Sequence, residues 1–195
     1  MKEKIFYGVL ALALIAFVCI PLPPSDLLIR MTRDWGTLAG STLYYATEES
    51  PDFSDAQLLF AQEDPETQIA TFRIPADAAA ELTGLRFDLS DDQPVTTIGK
   101  VSVSSGGVIQ RSYLSCEFFA DEHIASEHLF HRDLVPAQNL VALSVEGSDP
   151  YAVLSEGLVR EIRGCVSRRR GIRAVFAVLI LAGTILGRRR IFHLS

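Results

Sequence analysis

The stretch Leu82 to Ser105, LTGLRFDLSDDQPVTTIGKVSVSS, admits few folds. Leu85, Phe87 and Leu89 alternate with Arg86, Asp88 and Ser90, the period-2 pattern of a strand with one buried face. A second run, Thr96 to Ser104, is rich in β-branched residues, and in it Val101 and Val103 alternate with Lys100, Ser102 and Ser104. SDDQP between them supplies turn residues, and Pro94 disfavours helix at Gln93. Two neighbouring strands are predicted. From Thr37 to about Glu146 the chain repeats the theme: STLYYAT, DAQLLFAQ, TQIATFRIP, GVIQRSYLSCEFF and NLVALSVEG, separated by EESPDFSD, EDPE, SSGG and GSDP. Six to eight such strands predict a mainly β fold, an antiparallel β-sandwich. Within it ADAAAEL, Ala76 to Leu82, suits a helical turn, and Ala120 to Asn139 reads as a loop with one more. Leu158, Val159, Ile162, Cys165 and Val166 share one face of a helix, a last strand being the alternative.

Both extremities differ from this middle. Residues 1–4, MKEK, form a positive leader, and 5–22 carry no charge before the prolines at 21, 23 and 24. Eighteen helical residues rise about 27 Å, close to the thickness of a bilayer core. The run lacks the A-x-A pattern of a cleavage site, so an uncleaved anchor is predicted over a signal peptide. Residues 23–36 contain Leu27, Leu28, Met31 and Trp35 at helical spacing, with Ser25 to cap the start and Gly36 to end the turn. An amphipathic helix follows from that spacing, lying in a membrane interface or packed on the domain with Trp35 in its core. A second span is predicted over 171–187, although its uncharged part, Ala174 to Gly187, is short; flanking arginines lengthen it by snorkelling. The layout is thus leader 1–4, span 5–22, juxtamembrane segment 23–36, β-sandwich 37–155, connector 156–170, span 171–187 and tail 188–195. Gly183 and Gly187 form a GxxxG that permits close helix packing, against the first span or a membrane-protein partner, self-association included.

Charge sorts the partners. The middle, from Pro23 to Ser167, holds 23 Asp and Glu against 9 Lys and Arg, a balance of −14. Such a domain repels nucleic acid, and no nucleic-acid partner is expected. The basic ends suit cytoplasmic flanks of membrane helices, so both termini are expected inside a bacterial inner membrane and the middle outside. Arg168 to Arg170 and Arg173 then sit on the outer side, against the simple charge rule, which weakens beside long loops. In that compartment Cys116 and Cys165 would be free to pair or to stay as buried thiols.

No G-x-S-x-G, Walker loop or G-x-G-x-x-G occurs, and no residue is assigned as catalytic. The one histidine cluster is His123, His128 and His131, with Glu122, Glu127 and Asp133 nearby. Its H-x4-H-x2-H spacing departs from known zinc signatures, yet His128 and His131 are candidate ligands for a metal-dependent hydrolase. Asp88, Asp91 and Asp92 could offer oxygens to a structural calcium, without the D-x-D-x-D-G loop; a solvated turn is the reading adopted, and no cofactor is predicted. Among the aromatics Trp35, Tyr44, Tyr45, Phe53, Tyr113 and Tyr151, Phe53 and one of Tyr44 and Tyr45 are expected in the core, since adjacent strand residues face opposite ways.

The order Leu43-Tyr44-Tyr45, Phe53-Ser54, Phe72-Arg73-Ile74-Pro75, Leu85-Arg86-Phe87-Asp88-Leu89, Thr97-Ile98-Gly99-Lys100-Val101 and Asp149-Pro150-Tyr151 resembles a jelly-roll, galactose-binding-like module of bacterial membrane proteins linked to surface-polysaccharide assembly. The resemblance covers Thr37 to Leu154. This chain lacks the multi-span glycosyltransferase body beside which such modules occur, and Leu89 stands where a proline would follow the aspartate. What the resemblance implies is therefore a jelly-roll-like fold and contact with a polysaccharide or lipid-linked glycan. In such sites rings stack on sugars while Asp and Arg grip hydroxyls. The expected glycan set is Tyr45, Arg86, Asp88, Tyr113 and Tyr151. A protein-binding subunit of a membrane complex, with no glycan contact, is the alternative.

Overall fold

The structure, a computed structural model, describes residues 10, 12–17, 19, 24–90 and 95–192; the side chains of 108–110, 167–174, 181, 183 and 185–192 lie outside the described residues. The chain divides into two units, 24–166 and the two ends 1–23 with 167–195.

The first unit is an antiparallel two-sheet β-sandwich. Its twelve strands are β1 (Leu27–Trp35), β2 (Thr42–Thr47), β3 (Leu58–Phe60), β4 (Gln62–Asp64), β5 (Ile69–Ile74), β6 (Leu82–Asp88), β7 (Val95–Ser105), β8 (Val108–Leu114), β9 (Ile124–His128), β10 (Phe130–Val135), β11 (Leu140–Val145) and β12 (Tyr151–Leu154). One sheet runs β10-β11-β7-β1-β5-β4, with β8 also pairing β7; the other runs β3-β2-β6-β12-β9. The two predicted strands around SDDQP are thus real, but they belong to different sheets. The turn residues 91–94 lie outside the described residues.

Alternation builds the core as expected. Leu85 and Phe87 of β6, Leu27, Ile29 and Met31 of β1, and Val101 and Val103 of β7 are buried, and the residues between them are more exposed. Phe87 joins the layers: its ring lies 5.7 Å from Phe72 of β5, 6.1 Å from Phe130 of β10 and 6.4 Å from Phe119.

The segment expected as an amphipathic helix, 23–36, is instead the central strand β1. Leu27 and Met31 fit both periods, and strand wins because β5 and β7 pair with β1 on either side. Trp35 is not core; it is 63% exposed at the strand's end. Gly36 makes the turn there, at φ +80°, where a Cβ would stand 2.7 Å from the Val95 carbonyl. The expected loop 120–139 is also corrected: it holds β9 and β10, the edge strands of the two sheets, joined through Leu129 alone at φ +50°.

Helix α1 (Ala76–Ala80) matches the predicted turn, α2 (Ser115–Phe118) precedes β9, and α3 runs Glu156–Phe192. Leu158, Val159, Ile162 and Cys165 of α3 join the sandwich core, which settles helix over strand there. No disulfide forms: the Cys116 thiol donates to the Leu140 carbonyl at 3.1 Å, and the Cys165 sulfur lies 3.7 Å from the Glu161 carbonyl.

In the second unit the described residues between 10 and 19 are helical and α3 continues to Phe192. Among the described residues no helix is long and apolar enough to cross a membrane, so the two expected spans find no support there. Most of the first predicted span, and the surroundings of Gly183 and Gly187, fall outside the described residues.

Connectivity gives the sandwich two distinct ends. β1 runs from Leu27 to Trp35, and the turn 36–41 starts β2 at the same end as Trp35. Antiparallel pairing puts Asp88, opposite Thr42, and Tyr151, opposite Asp88, at that end. Pro24 and the start of α3 after Leu154 are at the other.

Candidate functional site

Because Leu43, Leu85, Phe87 and Ala152 point inward, their neighbours form the outward face of the five-stranded sheet. Strand register arranges that face in two rows. One is Phe60, Thr42, Asp88, Tyr151 and His128; the next is Leu58, Tyr44, Arg86, Val153 and Ser126. Five strands at the usual spacing make a platform about 19 Å across.

Arg86 sits at its centre. Its Nε donates to Asp88 Oδ1 at 2.8 Å and its Nη2 to Asp88 Oδ2 at 2.6 Å, a bidentate pair. Nη2 also donates to Asp149 Oδ1 at 2.9 Å. The guanidinium lies 4.1 Å from the Tyr151 ring centroid and 5.2 Å from that of Tyr44, so two π faces flank the cation. His128 extends the stack, 5.5 Å from Tyr151 and tilted by 32°. Asp149 reaches the cluster from the turn before β12, at φ +62°, a left-handed conformation that Asp tolerates better than most residues.

Burial and charge compete here. The side chains of Arg86 and Asp88 are 21% and 13% exposed, while that of Asp149 is 69% exposed. Burial pushes the Asp88 carboxyl up, Arg86 pulls it down and Asp149 adds to the rise, leaving it above the ordinary value. Burial disfavours the Arg86 charge, but the hydrogen bond and charge of Asp88 hold its pKa above the usual one. Burial, then Asp88, raise the Tyr44 hydroxyl. With one cation and two carboxylates the cluster has a surplus negative charge, and it holds no nucleophile paired with a base.

Three of the five expected glycan residues, Arg86, Asp88 and Tyr151, come together. The other two do not. Tyr45 packs against the core, so Tyr44 takes the outward place; Tyr113 is buried against Phe118, at 5.5 Å. Phe53 is half-buried. The histidines disperse. His123 Nδ1 donates to the Glu117 carbonyl at 2.6 Å, His128 stacks on Tyr151, and His131, on the other sheet, lies 3.7 Å from Glu146. Among the described residues no three His, Cys, Asp or Glu are placed to hold a metal. Asp91 and Asp92, the other calcium candidates, lie outside the described residues. Sequence reasoning missed Asp149, Phe60 and the ring role of His128. β12, lying between β6 and β9, brings in Asp149 and His128, and β3 pairing with β2 brings in Phe60; only the DP turn before Tyr151 hinted at the first.

A second concavity, about 260 Å³, lies between Leu82, Thr83 and the first turns of α3, with Glu156, Val159, Arg160 and Arg163 on its walls. Its arginines face acids, Arg163 to Glu48 at 3.2 Å and Arg160 to Glu156 at 4.0 Å, so no charge excess marks it for a ligand.

Compared with known protein families, curated proteins and solved structures, the chain matches none.

Proposed function

We propose that this protein is a non-catalytic glycan-binding module, held at the outer face of a bacterial inner membrane as an accessory to envelope polysaccharide assembly. The observation that carries the reading is the Arg86 guanidinium between the Tyr44 and Tyr151 rings, on an outward sheet face with two carboxylates beside it. Exposed rings stack on the apolar faces of sugars, and carboxylates accept from hydroxyls; a flat platform suits a chain of sugars lying across strands rather than one sugar in a pocket. The repeated passage of the chain between sheets supports the jelly-roll likeness.

The apolar run 5–22, the run 174–187 and their basic flanks support anchoring by both ends, with the termini cytoplasmic. The site's place also suits it, since Asp88 and Tyr151 belong to the end of the sandwich away from Pro24 and the start of α3. Titration of the purified full-length chain against an array of soluble oligosaccharides tests the function. Binding that Y151A and Y44A each weaken supports it; no binding to any oligosaccharide ends it. Protease added to intact spheroplasts tests the topology, and protection of the middle would reverse it.

The second reading, a protein-binding subunit, draws on Trp35 and Phe60, the latter 64% exposed. Crosslinking in membranes followed by identification of a partner attached through those rings would favour it.

A further inference from the structure

This inference rests on the glycan reading of the Tyr44–Arg86–Tyr151 face and concerns its selectivity. An arginine on a sugar-binding face ordinarily suggests an acidic ligand, a uronate or a phosphorylated sugar. Here its hydrogen bonds point the other way. Nε and Nη2 are both committed, the first to Asp88 and the second to Asp88 and Asp149 together. The guanidinium carbon also lies over the Tyr151 ring at 4.1 Å and the Tyr44 ring at 5.2 Å. Arg86 therefore spends three of its five N–H donors on ordering its neighbours, and the two carboxylates it holds outweigh its single formal charge, which disfavours an anion.

What the face offers outward is acceptors and π electrons. Asp149 gives Oδ1 to Arg86, and its mostly exposed carboxylate has further lone pairs for another donor. The Tyr44 and Tyr151 rings flank the Arg86 to which it is bonded, and His128 stacks beside Tyr151. A carboxylate surplus beside aromatic faces is the combination that recognises a cation. The −14 balance of the middle of the chain adds a long-range field of the same sign.

We infer that the outward face of β2, β6 and β12 selects a glycan carrying free amino groups, neutral sugars binding less well and acidic sugars being excluded. The ammonium would meet Asp149 while the sugar ring lies on Tyr151. No covalent step is involved.

The test uses full-length protein and three soluble oligosaccharides of equal length, of glucosamine, of N-acetylglucosamine and of galacturonate, titrated by calorimetry at low and high salt. Expected is about tenfold tighter binding of the glucosamine oligomer than of its acetylated form, no binding of the galacturonate oligomer, and loss of the preference in high salt. In Asp149→Asn, an exposed turn position, the two amino-derived ligands should come within about threefold of each other. Equal or tighter binding of the acetylated or acidic oligomer overturns the selectivity while leaving the glycan reading standing. A preference that survives Asp149→Asn unchanged overturns the role of Asp149 and with it the inference. Failure of all three to bind takes down the glycan reading itself.

Discussion

Each sheet carries one arginine near the middle of its outward face, and the two arginines live in different surroundings. Arg30 of β1 stands in a row with Thr71 of β5 and Ser102 of β7 and donates to the Ser104 hydroxyl at 2.8 Å. Arg86 of β6 stands between Tyr44 and Val153, bonded to two carboxylates and flanked by two rings. The seven-stranded sheet's face around Arg30 is thus a half-buried patch of hydroxyls with, among the described residues, no ring or carboxylate bonded to the arginine. Its counterpart gathers rings and half-buried charge that the fold does not need for solubility. Removing water from a charged pair costs free energy, and Asp88 carries that cost in its raised pKa. The contrast supports the proposal that places the binding site on the five-stranded face.

Several measurements would break or sharpen this contrast. The largest effect should come from Phe87→Ala, which removes the ring touching Phe72, Phe119 and Phe130 beneath both faces. A loss of roughly 3–5 kcal/mol is expected in urea unfolding. Next is Arg86→Ala, which strands the carboxylate of Asp88; about 2 kcal/mol should be lost, with sugar binding gone. Raised Asp88 and Tyr44 pKa values in that variant, followed by NMR titration, would confirm that the carboxylates are what Arg86 holds.

A smaller effect belongs to pH. Burial, and then the Glu161 charge, raise the Tyr113 hydroxyl well above its ordinary value near 10. The unfolded chain then releases this proton before the folded one does. Stability should therefore be intact below about pH 10 and fall as pH rises beyond it, and Tyr113→Phe should flatten that fall in denaturant titrations at several alkaline pH values. Smallest of all is Arg30→Ala, expected to cost about 0.5 kcal/mol and to leave sugar binding alone. An Arg30→Ala loss equal to that of Arg86→Ala would erase the distinction between the two faces.

Much of this was legible in alternation. Arg86 and Asp88 fall outward because Leu85 and Phe87 fall inward, and the same parity sets Tyr151 against Ala152. Parity alone did not choose between Tyr44 and Tyr45, for TLYYAT leaves either ring outward until Leu43 is known to be buried and the pairing of β2 to β6 shifts register between Ala46 and Thr47. Helical spacing misread Leu27 to Trp35, since Leu27 and Met31 fit either period and the deciding fact, pairing on both sides by β5 and β7, is non-local. The approach of Asp149 and His128 to Arg86 depends likewise on β12 lying between β6 and β9, which no local pattern announces.

The one-residue corner at Leu129 has a mechanical consequence. It joins His128, at the rim of the platform, to Phe130, whose ring leans on Phe87 in the interior. Two peptide units leave almost no slack, so a sugar that tugs the imidazole would also disturb the aromatic interior. Near-ultraviolet circular dichroism of the buried rings would then report occupancy with no label attached, a signal wired in by the shortness of the bend.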